Sequence, residues 1–249
     1  MRSHIDLNCD LGEGVGIEAA ILPYVSTINI ACGAHAGDEA LIRNTIRLAK
    51  EQQVAIGAHP SYPDRENFGR TVLPITAEDL QRSVRQQIDL VRGIAFEEHY
   101  PITHIKLHGA LYNQAAKEDA LATLLVETIA AIDPLLLVFG LPGSALEQRA
   151  IQHNLRFVKE AFADRTYQDD GSLTTRAHPN ALIEDNSDCV QQVLRIIRQQ
   201  EVVTLSGKII SLSAETVCLH GDGLHALAFA KTLWQELKKE NIIIRAAHE

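Results

Sequence analysis

Short apolar runs alternate with longer amphipathic stretches along the whole chain. Strand-type runs occupy 4–10, 27–33, 54–59, 103–109, 135–141, 156–163 and 216–222, each followed by Gly, Pro or polar residues. Helical periodicity falls between them, over 38–52, 76–97, 114–132, 143–153, 179–200 and 223–240. In the 76–97 stretch Thr76 is placed to cap, with Asp79 in its first turn, and Leu80, Val84, Ile88, Val91 and Ala95 form one stripe. Pro179 fits the first turn of its helix. Residues 202–215 predict a β-hairpin excursion, and 241–247 either an eighth strand or a packing tail. No linker or low-complexity stretch interrupts the series, so residues 1–249 read as one domain.

Repeated βα units make either a doubly wound sheet or an α/β barrel. The polar positions choose between them. In "HIDLNCDLGEG" the alternation puts Asp6, Asn8 and Asp10 on one face and Ile5, Leu7 and Cys9 on the other. Asn8, Asp10 and Glu13 thus stand at the end of strand one. Strand two brings His35 and Asp38, strand three His59, and strand four Lys106 and His108. Strand six brings Glu160, then Asp164 and Arg165, and strand seven His220 and Asp222. Only strand five, ending "FGLPGS", brings no ionisable group. A doubly wound sheet gathers ligand groups at one switch point, whereas a barrel gathers them from many strand ends onto one rim. The expectation is therefore an α/β fold, a TIM-like (β/α) barrel of about seven strands. Burying so many ionisable groups without a role costs several kcal/mol each unless they are paired, so the set reads as an active site. The long polar loops 60–70 and 164–179 lie on the same rim, and Arg65, Arg70, Arg165 and Arg176 can clamp a carboxylate.

Charge and composition narrow the partners. The net charge of -9 argues against nucleic acid and anionic membrane, which need a basic face. No apolar run approaches the roughly 20 residues that span a bilayer. The four cysteines are far apart and read as small buried hydrophobes in a reducing compartment. Folded pattern begins within a few residues of Met1, so the expected location is the cytoplasm.

Several chemistries are excluded. "GEGVG" has its third glycine one position early for a dinucleotide fingerprint, and Glu13 there would repel a phosphate. There is no P-loop and no nucleophile elbow. Cys9 and Cys32 alternate away from the rim. What remains is general acid/base catalysis of water attack, with Glu160 or Asp10 as base and Lys106 stabilising an oxyanion. A divalent metal held by Asp10, His59 and His108 is an alternative, as is direct binding of a polar substrate. Asp10, His59, Lys106, His108 and Glu160 are the expected catalytic set. Asn8, Glu13, His35, Arg65, Arg70, Arg165, His220 and Asp222 are the expected substrate contacts.

The motifs "DLNCDLGEG", "NIACGAHAGD", "GAHPSYPDRENFGR", "KLHGALYN", "EAFADRTYQDDGSLTTR" and "CLHGDG", in this order, resemble the LamB/YcsF family. The resemblance implies a TIM-like barrel related to metal-dependent carbohydrate deacetylases. It also implies 5-oxoprolinase activity: ATP-dependent opening of the lactam of 5-oxo-L-proline (pyroglutamate) to L-glutamate, within a complex containing partner subunits B and C. The missing P-loop places ATP on a partner or in an unfamiliar site. Two other readings compete, a stand-alone metal-dependent N-deacetylase of acetylated sugars and a non-catalytic barrel subunit. The deacetylase-type His pair is absent, since His104 and His108 have its spacing but lie in a strand pattern. His178 receives no role.

Overall fold

In a computed structural model, which describes residues 4–223 and 226–248, the strands run in the expected order. They are β1 (His4–Leu11), β2 (Thr27–Ala31), β3 (Ala55–His59), β4 (His104–Lys106), β5 (Leu137–Gly140) and β6 (Phe157–Phe162). A hairpin of β7 (Glu201–Val203) and β8 (Ile209–Ser211) follows, then β9 (Thr216–His220) and β10 (Ile243–Ile244). Strands β1 to β6 and β9 pair in parallel, and β1 against β9 closes them into a seven-stranded barrel. The hairpin stands apart as its own two-stranded sheet, and β10 pairs with the first residues of β1. The 241–247 segment is therefore a short eighth strand outside the closed ring.

Alternation sorts each strand into a helix-facing and a lumen-facing set. Ile5, Leu7, Cys9, Ile28, Ile30, Ile56, Ile105, Val217 and Leu219 are buried in the main apolar core. The lumen is unusual for a barrel in being largely polar. Asp6, Asn8, Asp10, Thr27, Asn29, His59, His104, Lys106, Glu160 and Thr216 are all buried. Leu137, Phe139 and Val158 supply a small separate apolar cluster, which accounts for the absence of ionisable groups on β5.

Helix ends follow local capping chemistry. Asp38 caps α2 (Glu39–Glu51) by accepting from the Leu41 amide at 2.8 Å, so it serves the helix rather than the rim. Thr76 accepts from the Asp79 amide at 3.1 Å at the start of α3 (Ala77–Glu97), as the sequence predicts.

Three elements differ from the sequence reading. A short α1 (Glu18–Ile21) follows β1, where the sequence showed no helical pattern. The 114–132 stretch is broken: its first two residues end α4 (Gly109–Ala115), and the rest is α5 (Asp119–Ile132) after a break at 116–118. The break at Ala116 turns its carbonyl to accept from the Ala145 amide at 2.9 Å, and this holds the first turn of α6 (Ala145–Gln152). Pro179 lies in a loop. The amides of Ala181 and Ile183 are spent on His178 and Asp164 carbonyls, and α7 (Asn186–Gln199) starts only where the Asp185 side chain accepts from Ser187 and Asp188. The last helix, α8, is described over Ala226–Lys239; positions 224 and 225 of the expected 223–240 helix lie outside the described residues. Among the described residues no helix is long and apolar enough to cross a membrane.

Candidate active site

The lumen is one connected polar column. At its base the Asp6 carboxylate accepts from Ser26, Thr27 and Thr216 hydroxyls at 2.6–2.7 Å. Thr216 in turn accepts from Asn8 Nδ2 at 2.7 Å, and Asn8 Nδ2 also donates to Glu160 at 3.0 Å. Asn29 Nδ2 donates to both Asn8 Oδ1 and Asp10 Oδ1 at 2.8 Å. His104 Nε2 meets Asn29 Oδ1 at 2.7 Å, which makes Nε2 the protonated nitrogen. Every polar atom in this layer is satisfied by another, so the column is rigid.

Lys106 is the only cation at its centre among the described residues. Its ammonium is 2.8 Å from Asp10 Oδ1, 3.0 Å from Glu160 Oε1 and 2.8 Å from Cys218 Sγ. Burial disfavours the charge, but Asp10, Cys218 and Glu160 outweigh it and hold the ammonium well above its ordinary range. Burial likewise raises the Asp10 carboxyl, but His59 and Lys106 bring it well below the usual carboxylate range. Asp10 is thus an anion at neutral pH and a weak base. Tyr112, on α4, donates to Glu160 Oε2 at 2.8 Å, while burial and the Glu160 charge push its phenol up.

Above this floor lies a pocket of about 530 Å³. Asp10, His59, Lys106, His108 and Tyr112 line its base, and Arg70, Lys117, Arg165, Arg176 and His220 line its walls. His220 Nδ1 is 2.9 Å from Asp164 Oδ1 and its amide donates to Asp164 Oδ2 at 3.0 Å. This fixes the ring and leaves Nε2 for the pocket. Burial raises the Asp164 carboxyl, but His220 overcomes it and the net shift is downward.

The expected site residues divide in two. Asp10, His59, Lys106, His108, Arg70, Arg165 and His220 all line the one pocket. The remainder are placed elsewhere. Asn8 and Glu160 are completely buried beneath the floor with their polar atoms committed to neighbours, so they position Lys106 rather than meet a substrate. Arg65 donates to the carbonyls of Gly33 and Gly37 and ties two loops together. Arg165 reaches the pocket wall, but its guanidinium donates to the Thr174 and Ala181 carbonyls and braces the 164–185 loop. Asp222 is the ion-pair partner of Arg70. Glu13 and His35 sit behind His108, with the His35 ring stacked on it at 3.8 Å. Glu13 lies between Gly12 and Gly14, whose φ values of +74° and +85° turn the loop back towards the rim.

Sequence reasoning missed Asn29, His104, Tyr112 and Cys218. Cys218 shares the Thr216–His220 alternation and so belongs to the lumen face, but its apolar neighbours disguise it. Burial raises its thiol well above the ordinary value, so it is no nucleophile.

Asp6 gives the column a pH signature. Burial raises its carboxyl to about 6, against the three hydroxyl donors that lower it. The folded chain therefore holds this proton more tightly than the unfolded chain. Its contribution to stability is full below about pH 4 and is lost as pH rises through 6, a change of about 3 kcal/mol. The unfolding free energy of wild type minus that of Asp6→Asn, from urea titrations at about pH 3 to 7, is expected to fall by that amount. A pH-independent difference contradicts the assignment.

Three comparisons place the chain among known proteins. The model of the LamB/YcsF family matches residues 5–249. Curated relatives named as the A subunit of 5-oxoprolinase match at near full length. One from Geobacillus kaustophilus (strain HTA426) is 46% identical over 246 residues, covering 97% of this chain and 96% of the relative. One from Haemophilus influenzae (strain PittEE) is 43% identical over 242 residues, covering 97% and 99%. Among solved structures, the lactam utilization protein from Thermus thermophilus superposes with a TM-score of 0.91 at 34% identity, covering 98% of this chain and 99% of that one.

Proposed function

The chain belongs to the LamB/YcsF family, and from that premise we propose that it is the component of a 5-oxoprolinase that opens the lactam ring of 5-oxo-L-proline to L-glutamate. Near-full-length similarity to relatives bearing that name carries the reading. The pocket supports it chemically. A lactam is a poor electrophile, and ATP activates it by phosphorylating the carbonyl oxygen. Water then attacks the ring carbon, the C–N bond breaks as the ring nitrogen takes a proton, and a second water hydrolyses the acyl phosphate so formed to the carboxylate and inorganic phosphate. The chain has no P-loop, so ATP is bound with partner subunits, B and C in this reading, that complete the complex.

The residues divide the work. Arg70 and Arg176 at the mouth suit the substrate carboxylate. Lys106 presents a buried, permanently charged ammonium to the oxygen on which negative charge develops. Asp10 and Glu160 hold that ammonium in place. His220, oriented by Asp164, is the group that passes a proton between water and ring nitrogen. The His104–His108 pair that an N-deacetylase spacing would use does not form, because His104 is spent on Asn29 beneath the floor.

The test is glutamate release from 5-oxoproline and ATP by this chain mixed with its partner subunits. Glutamate is expected from the complete mixture and not from the chain alone. No product from any combination overturns the reading.

A further inference from the structure

Three rim imidazoles share a feature that the ring-opening chemistry does not use. Each has one ring nitrogen committed to a protein acceptor. His59 Nδ1 is 2.8 Å from the Lys106 carbonyl, so it carries the hydrogen. His108 Nε2 is 2.9 Å from the Phe68 carbonyl and carries the hydrogen for the same reason. His35 Nδ1 is 3.0 Å from Ser61 Oγ, whose own hydrogen goes to the Tyr62 carbonyl at 2.7 Å, so His35 Nδ1 is also the donor. When the rings are neutral, the other three nitrogens, His59 Nε2, His108 Nδ1 and His35 Nε2, carry lone pairs; a proton on His59 Nε2 is the ion-free arrangement, serving Asp10 instead.

These lone pairs converge with two carboxyl groups. His59 Nε2 is 3.3 Å from Asp10 Oδ2 and 3.0 Å from His108 Nδ1. His108 Nδ1 is 3.8 Å from Glu13 Oε1, and that oxygen is 3.5 Å from His35 Nε2. His35 Nε2 is fully buried and makes no hydrogen bond among the described residues. Two overlapping triads result, Asp10–His59–His108 and Glu13–His35–His108, each with its donor atoms within 4.8 Å of one another. Lone pairs facing lone pairs and carboxylate oxygens repel unless something positive lies between them. Donors held about 2.0–2.2 Å from one zinc-sized ion lie roughly 3.3 Å apart, which is the spacing along this chain of donors. Fixing the far nitrogen of a histidine on a carbonyl or hydroxyl is how proteins orient metal-binding imidazoles.

We propose that the loop-side triad, Glu13 Oε1, His35 Nε2 and His108 Nδ1, is a site for one divalent cation of the zinc class, with Asp10 and His59 beside it on the lumen side. Two imidazole nitrogens and a carboxylate suit zinc or its first-row neighbours rather than magnesium or calcium, which take oxygen shells. Glu13 and His35 are thereby ion-binding residues and not substrate contacts. When bound, such an ion supplies Lewis acidity or an activated water. The competing arrangement is a proton shared between His59 and His108, with Glu13 protonated. The proposal rests on hydrogen-bond geometry and is independent of the 5-oxoprolinase reading.

The test uses the full chain, purified without a polyhistidine tag, stripped with chelator and titrated with Co²⁺ alone. About one equivalent is expected to bind, with visible d–d absorption and a rise in melting temperature that Zn²⁺ reproduces. Glu13→Gln and His35→Ala, checked for fold by circular dichroism, are each expected to weaken Co²⁺ binding by about tenfold or more. A wild-type chain that binds no Co²⁺ overturns the proposal and leaves the shared proton. Unchanged affinity in folded Glu13→Gln overturns the proposal even if His35→Ala does not fold. Metal binding without glutamate release, or the reverse, separates this proposal from the function above.

Discussion

Lys106→Met is expected to cost the fold about 3–5 kcal/mol, a large share of a domain's whole stability. The ammonium is the shared counter-charge of Asp10 and Glu160, both buried and both within 3.0 Å of it. Methionine matches the length of the stem but leaves two carboxylates in the lumen without a cation. One of them must then take up a proton or drag in water. The double variant Lys106→Met/Glu160→Gln removes one of the stranded charges, so it is expected to be more stable than Lys106→Met alone. Urea unfolding of wild type, the two single variants and the double variant gives the coupling energy, expected at about 1 kcal/mol or more. Additive effects would mean that Lys106 and Glu160 do not act as a pair.

Gly57→Ala is expected to destabilise by about 3 kcal/mol, or roughly 10 °C in melting temperature, although it adds one methyl group. Gly57 lies beside His104 in the β3–β4 register, and a Cβ built on it overlaps the His104 ring. That ring has no room to retreat. It is fully buried, stacked on Phe139 at 4.2 Å, and hydrogen-bonded to Asn29. Shifting it disturbs Asn29, which also holds Asp10, so loss of activity is expected to accompany loss of stability. Thermal unfolding checks the first effect. A melting temperature within about 2 °C of wild type contradicts the packing described here.

These two residues also mark what the sequence could and could not tell. Lys106 was legible because it ends a strand and alternates onto the polar face, and the same argument found Asp10, His59, His108 and His220. Gly57 and His104 were not legible, because their importance lies in lateral contact between strands. That contact depends on register, which a period-two pattern leaves open. The same holds for Arg70 with Asp222, which are distant in sequence and meet only across the rim. Asn8 and Glu160 alternate correctly onto the lumen face, but alternation does not give depth, so residues beneath the floor were read as residues on it. Tyr112 was hidden because it falls between the 103–109 strand pattern and the 114–132 helical pattern, while α4 begins at Gly109, straight after His108.

In the function proposed above, the lactam is opened on this barrel's rim and not on a partner. Asp10→Asn tests it most directly, because the change keeps the side chain's shape while removing the anion that Lys106 and His59 share. The measurement is glutamate formed per minute from 5-oxoproline and ATP by the complete mixture of subunits, with the wild-type chain or with folded Asp10→Asn in its place. Turnover is expected to fall about 10³-fold or more, the scale at which removing a preorganised charge at a reacting centre is felt. Glutamate formed at the wild-type rate would contradict it.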